Sequence, residues 1–222
     1  MNPDELTRSL AADPRNAADP TAWFDQLYTA AGAGAAEVPW DRGQPNVLLV
    51  EWVDREQPPA TGRTVVVGAG YGRDSEYLAG LGFTTTAFDI SAAAVEQTKK
   101  RFPDSLVEYA VGDLLALPAA WQGGFDLVVE SMTVQALPDP PRDAAISGVV
   151  SLVAPGGTLL VIAAGHDGPP VARDALDTPP WPLLHEEVES FARDGLEMVA
   201  LERVIMPTDP GIPRWRATLR RP

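Results

Sequence analysis

The chain has 222 residues, enough for one sizeable core, and its 45% hydrophobic and 22% charged residues are ordinary for a globular domain. Acidic side chains number 31 against 17 basic ones, so the formal net charge of −14 repels polyanions and speaks against nucleic acid as a partner. The absence of cysteine excludes disulfides, thiolate-ligated zinc and cysteine nucleophiles together.

Residues 1–20 are rich in Ala, Asp, Asn and Pro without firm periodicity, which predicts a flexible N-terminus holding no apolar stretch of signal-peptide length. No later run reaches the ~18 apolar residues that span a bilayer, so a soluble, cytoplasmic protein with no membrane partner is expected. Trp23, Phe24, Leu27 and Tyr28 then fall at helical spacing behind Pro20 and Thr21, a pattern read as core packing. A Gly/Ala run at 30–36 ends that helix. PWDRGQPN at 39–46 follows as a loop, VLLVEWVD at 47–54 as a short helix and QPPATG at 57–62 as a connector. The organisation is thus a helical segment at 21–58 ahead of a core domain at 59–222.

From residue 59 strand and helix alternate. RTVVVGAG is an apolar first strand; RDSEYLAGLG is a helix with Tyr77, Leu78 and Leu81 on one face, stopped at Gly82. FTTTAFDI is the second strand, and Ser91 caps a helix running to about Phe102 with Val95 and Phe102 inward. LVEYAVGD, FDLVVES and GTLLVIAAG are strands three to five, the last preceded by a helix within PPRDAAISGVVSLVAPG. Such alternation predicts an α/β fold, a parallel sheet covered by helices on both faces. Beyond Gly165 come a long loop at 166–182, a helix with Leu184, Val188 and Phe191 inward, and the strands LEMVALERVIM and PRWRATLRR. Those two are joined too closely to be anything but antiparallel, giving seven strands. The tail arginines Arg214, Arg216, Arg220 and Arg221 read as a solvated edge strand.

TVVVGAGYGRD at 64–74 is the stretch that points to chemistry. Gly68, Gly70 and Gly72 sit where a strand gives way to a helix, where glycine permits positive φ and close backbone approach, and where the helix N-terminus favours a polar or anionic group. Asp89 ends the second strand 21 residues after Gly68, the place from which a carboxylate accepts both hydroxyls of an adenosine ribose. A dinucleotide and S-adenosylmethionine both fit these residues. Three features favour the second. The turn lacks the G-x-G-x-x-G spacing; Asp113 ends the third strand, where it can accept from an adenine amino group while the Leu114 N–H reaches the ring; and an antiparallel closing pair is not the usual end of a dinucleotide fold.

Taken in order, VVVGAGYGRDSEYLA, AFDIS, VGDLLALP, FDLVVES and VAPGGTLLV resemble the class I S-adenosylmethionine-dependent methyltransferases, closely over 60–165 and in outline over the chain. The resemblance implies a Rossmann-like, mostly parallel sheet of order 3-2-1-4-5-7-6 with strand 7 antiparallel, and S-adenosylmethionine as cofactor. It sets Gly68, Gly70 and Gly72 near the donor's methionine part, Asp89 with Ile90 at the ribose, and Asp113 with Leu114 at the adenine. PWDRGQP, the loop after Gly165 and RWRATLRR are similar to thiopurine S-methyltransferases and related thiol and halide methyltransferases. That narrower likeness implies that 21–58 forms a lid over the donor, with Trp40 and Asp41 in it and Trp23 and Phe24 beside them.

In methyl transfer the donor is already activated, so the protein has mainly to align the acceptor and exclude water. A small-molecule acceptor with a soft nucleophile such as a thiol needs no strong base, in keeping with the lack of an evident acid–base pair; an oxygen or nitrogen acceptor would want one. Without cysteine the covalent route to a pyrimidine carbon is closed, and VVESMTV departs from the Asp/Asn-Pro-Pro-aromatic pattern used on exocyclic base amines. His166, directly after strand five, is the candidate base. Glu130 and Ser131 end strand four and face the methyl end of the donor, Glu130 as a donor contact; Arg73 and Asp74 either touch the donor or begin a helix. No metal ligand set is evident. The competing class is a nicotinamide-dependent oxidoreductase, which shares the turn and the acidic residue, and a third is a degenerate fold kept as a binding module.

Overall fold

In the computed structural model, which describes residues 3–13, 19–139, 141–168 and 179–222, an eight-stranded sheet carries helices on both faces. Ahead of it lie α1 (Pro3–Ala11), α2 (Ala22–Gly32) and α3 (Val47–Glu56). The core runs β1 (Arg63–Val67), α4 (Arg73–Gly80), β2 (Thr84–Asp89), α5 (Ala92–Arg101), β3 (Glu108–Val111), β4 (Phe125–Ser131), α6 (Pro141–Ser151) and β5 (Val153–His166). It closes with β6 (Leu183–Leu184), α7 (His185–Glu189), β7 (Glu197–Met206) and β8 (Asp209–Arg220).

The strand order is β3-β2-β1-β4-β5-β8-β7, with the two-residue β6 paired to the end of β5. β1 to β5 are mutually parallel and β8 is antiparallel to both β5 and β7. The expected order thus holds, with β6 the additional strand. Alternate residues of each central strand feed two cores. Val65, Val67, Val128 and Val161 face α6 and α7, while Val66, Leu127, Val129 and Ile162 face α3, α4 and α5.

Several local expectations are met by specific contacts. Ser91 caps α5 as expected, accepting from Ala94 N at 3.0 Å, and Asn46, read from the sequence only as the end of a loop, caps α3 by accepting from Leu48 N at 3.0 Å. Leu184, Val188 and Phe191 are buried as predicted. Four expectations need correction. Pro3–Ala11 is helical, although 1–20 carries no clear period. Leu81 lies 44% exposed, because α4 ends at Gly80 and leaves it outside the apolar face. The β7–β8 connection is a two-residue turn, since both strands run on to pair Met206 with Asp209. The arginine tail is no edge: β8 lies between β5 and β7, and Arg216 is buried, donating to Glu202 at 2.7 Å and Glu51 at 3.1 Å. Of the loop expected at 166–182, residues 169–178 lie outside the described residues.

Candidate active site

At the C-terminal ends of β1, β2 and β4 the chain makes a tight floor. Gly68, Gly70 and Gly72 all have positive φ, at 60°, 51° and 73°. Each is also closed in: a Cβ would meet the Thr133 side chain at Gly68, the Tyr28 hydroxyl at 2.8 Å at Gly70, and Thr98 Cγ2 at 2.7 Å at Gly72. Only glycine satisfies both the backbone and the space. Asp89, 7% exposed, ties the turn to β2: one carboxylate oxygen accepts from Gly70 N at 2.8 Å and the other from Ser91 N at 2.9 Å. Burial pushes this carboxyl above the usual range, while the amide donors pull the other way. Each oxygen spends one bond on the backbone, leaving acceptor capacity for the hydroxyls of a ligand. Ile90 beside it is half-buried.

Asp113 follows β3, half-buried, with one oxygen accepting from Leu115 N at 2.8 Å. Leu114 turns its side chain into the core against α6. Asp89 and Asp113 therefore stand at the ends of the adjacent strands β2 and β3, the pairing the sequence predicts.

α2 and the loop after it lie against the glycine turn. Asp25 of α2 accepts from Ser91 Oγ at 2.7 Å and Ala93 N at 3.0 Å, and Gln97 of α5 donates to Tyr28 O at 2.6 Å. Trp40 is 41% exposed; its Nε1 donates to the Tyr28 hydroxyl at 2.9 Å and lies 4.0 Å from where a Gly70 Cβ would stand. Its ring meets those of Trp23, Phe24 and Tyr28 edge-on, with centroids 6.0 to 6.2 Å apart. Asp41 pairs with Arg73 of α4 at 3.1 Å and Arg101 of α5 at 3.2 Å. Tyr28, assigned to the core from its spacing, is buried as expected, yet its hydroxyl reaches the turn. Burial first and the Asp89 charge second hold that hydroxyl well above its usual range, so it stays a proton donor.

Glu130 and Ser131 separate. Glu130 is wholly buried on the α6 face, where Oε1 accepts from Thr133 N at 2.8 Å and Val134 N at 2.9 Å, and Oε2 has no hydrogen-bond partner among the described residues. Burial pushes its carboxyl up to about 7. Ser131 points to the opposite face and joins Asn46 and Asp74: Asn46 Nδ2 donates to Ser131 Oγ at 3.1 Å, and Asn46 N donates to an Asp74 oxygen at 2.7 Å. Sequence reasoning did not assemble this trio, whose members lie 28 and 85 residues from Asn46. The one signal was Asn46 itself, an N-cap residue before an apolar run. His166 ends β5 half-buried, and the adjacent Asp167 is bound to Arg203. His185 is 56% exposed beside Glu189.

Residues 65–157 match the family described as "Methyltransferase domain". Over 89% of this chain and 99% of the other, the structure superposes with a TM-score of 0.68 on the N-methyltransferase NodS from Bradyrhizobium japonicum WM9, solved with S-adenosyl-L-homocysteine, at 20% identity. The fold is that of the class I methyltransferases. A methyltransferase fold does not by itself fix a reaction, since the [4+2]-cyclase SpnF also superposes, with a TM-score of 0.66 at 17% identity over 91% of this chain and 96% of that one. Among curated proteins, the ubiquinone biosynthesis O-methyltransferase of Xanthomonas axonopodis pv. citri (strain 306) is 33% identical over 131 residues, covering 55% of this chain and 54% of that protein. The chain spans about half the length of the curated relatives it matches. They are named for transfer to oxygen, whereas the sequence led toward a thiol. Among the described residues no helix is long and apolar enough to cross a membrane.

Proposed function

We propose that the protein transfers the methyl group of S-adenosylmethionine to an oxygen of a small-molecule acceptor. The observation that carries this is the turn of three positive-φ glycines whose middle N–H is held by the Asp89 carboxylate. Such a floor fits an adenosyl donor: backbone can come close to the methionine part at Gly68, Gly70 and Gly72, Asp89 with Ile90 faces the ribose, and Asp113 with the Leu114 N–H faces the adenine. The donor supplies an activated methyl group bound to a cationic sulfur. This chain holds and orients the reactants and excludes water. Residues 21–58 act as the lid, Trp40 and Tyr28 closing it onto Gly70. The family match and the oxygen-directed names of the curated relatives support the same reading.

The test is thermal unfolding of wild type and Asp89→Ala with S-adenosylmethionine, S-adenosylhomocysteine or reduced nicotinamide cofactor. A ligand at about 100 times its Kd adds about 2.7 kcal/mol, several degrees of Tm. Wild type should rise with both adenosyl ligands and not with the nicotinamide. Asp89→Ala should lose at least about 1 kcal/mol of donor affinity with its charge-assisted bond. A nicotinamide shift alone, or donor affinity untouched in Asp89→Ala, overturns the assignment.

A further inference from the structure

Transfer to oxygen, on which this inference rests, leaves a proton to be removed, and His166 is poorly placed for it. Ile162 of β5 pairs with Ser131, and His166 lies four residues further on, about 13 Å along the strand. Nearer the turn stands a carboxylate with no cation paired to it among the described residues. Asp74, in the first turn of α4 two residues after Gly72, takes hydrogen bonds from Asn46 N and from the Ser131 hydroxyl.

The charged groups around it are spent elsewhere or face away. Arg73 is turned to Asp41, Glu76 accepts from Ser105 and Tyr109, and Glu130 lies on the other face of the sheet. The loop before α3 brings only the neutral amides of Asn46, and β4 brings the neutral Ser131. Burial outweighs the two hydrogen bonds and raises the Asp74 carboxyl above its usual range.

The hydrogen-bond count at Ser131 is the second observation. A hydroxyl has one proton and two lone pairs. Its proton goes to Asp74 and one lone pair takes Asn46 Nδ2. The other lone pair is left at the C-terminal end of β4, where that strand borders β1 and the glycine turn.

We propose that Ser131 and Asp74 form a proton relay for the acceptor, fixed in place by Asn46. The acceptor O–H donates to the remaining lone pair of Ser131. As the acceptor oxygen bonds to the methyl carbon and the carbon–sulfur bond breaks with its electron pair going to sulfur, the acceptor proton passes to Ser131 Oγ and the Ser131 proton passes to Asp74. The products are a methyl ether, a neutral thioether and a protonated Asp74, which returns its proton to solvent. Asn46 is a positioning residue: it orients both oxygens and touches neither reactant.

The test compares wild type, Asp74→Asn and Ser131→Ala with simple phenols and catechols on one side and a small thiol on the other, following kcat/KM against pH, with S-adenosylhomocysteine binding measured by calorimetry on each protein. Both variants should bind S-adenosylhomocysteine as wild type does and keep any thiol transfer. Transfer to the oxygen acceptors should fall on the order of 100-fold, and Asp74→Asn should lose the acidic limb of the profile. Equal losses on both acceptor classes, an acidic limb that survives in Asp74→Asn, or a wild type that methylates only thiols or neither class overturns the relay. A wild type that fails to bind S-adenosylhomocysteine overturns the donor assignment first, and the relay with it. Infrared difference spectra against Asp74→Asn follow the carboxyl in the resting protein. Ser131→Ala should raise its midpoint by removing a bond to the charged form, and an unmoved midpoint overturns the pairing.

Discussion

Gly34 and Gly72 share a φ of 73° but not their surroundings: a Cβ at Gly34 meets nothing within 4 Å, whereas at Gly72 it runs into Thr98 and the Tyr109 hydroxyl. Gly34→Ala should therefore cost only the left-handed penalty, about 1–2 kcal/mol, and Gly72→Ala about 3 kcal/mol or more once overpacking is added. Urea unfolding of the pair separates backbone strain from packing at matched φ. Glu130 gives a second test at this scale. Its carboxyl is raised to about 7 by burial, so the folded state holds its proton more tightly than the unfolded chain. Its stabilising share is complete below about pH 4.5 and is lost as pH rises to about 7, a fall of roughly 3 kcal/mol at 1.36 kcal/mol per unit. Glu130→Gln should remove that slope and be more stable than wild type at pH 8, as read by Tm across pH. Much of this level was legible from residue type: the three glycines, Asp89, and the Ser91 cap. The parting of Glu130 from Ser131 was not, because β4 is apolar on both faces and a two-residue period then carries no mark of which face is which.

The α2 helix and the loop to Asn46 are joined to the core by few but specific bonds. Asp25 reaches α5, Gln97 of α5 reaches back to Tyr28 O, and one carboxylate, Asp41, takes guanidinium groups from both α4 and α5. Trp40→Ala should leave the core intact, because Trp40 is among the exposed large side chains, while turnover is lost as the seat on Gly70 opens. Circular dichroism and donor-saturated turnover on one preparation check this; full activity with every acceptor would remove Trp40 from the lid. At the far side, Glu202 joins Arg55 of α3 and Arg216 of β8, which together hold its carboxyl down at about 2. Its depressed value places the stability it adds above about pH 4.5 and removes it as pH falls toward 2, opposite in direction to Glu130. With Glu202 about a third exposed, Glu202→Gln should cost only on the order of 1 kcal/mol near neutrality. The helix at Ala22–Gly32 could be foreseen from its aromatic spacing, but its docking onto α5 could not, because the polar side chains that make it, Asp25 and Gln97, meet their partners across 68 and 69 residues of chain.

Across the whole molecule, strand–helix alternation from Arg63 to His166 announced the sheet, since both-sided burial writes continuous apolar strands and one-sided burial writes amphipathic helices. The last strands were harder to place. β7 alternates exposed and half-buried positions as a true edge does, while β8 carries four arginines within or just past it, so charge alone pointed outward. Pairing outweighed charge: Arg216 found Glu202 and Glu51, and Trp215 and Ala217 took the core positions. That placement has a bearing on biosynthesis. β8 follows β7 in sequence yet fills the slot between β5 and β7, so a chain synthesised only as far as β7 carries open sheet edges on both sides of that slot. The turn that sends the chain back into that slot is Pro207 and Thr208, with Pro210 just inside β8.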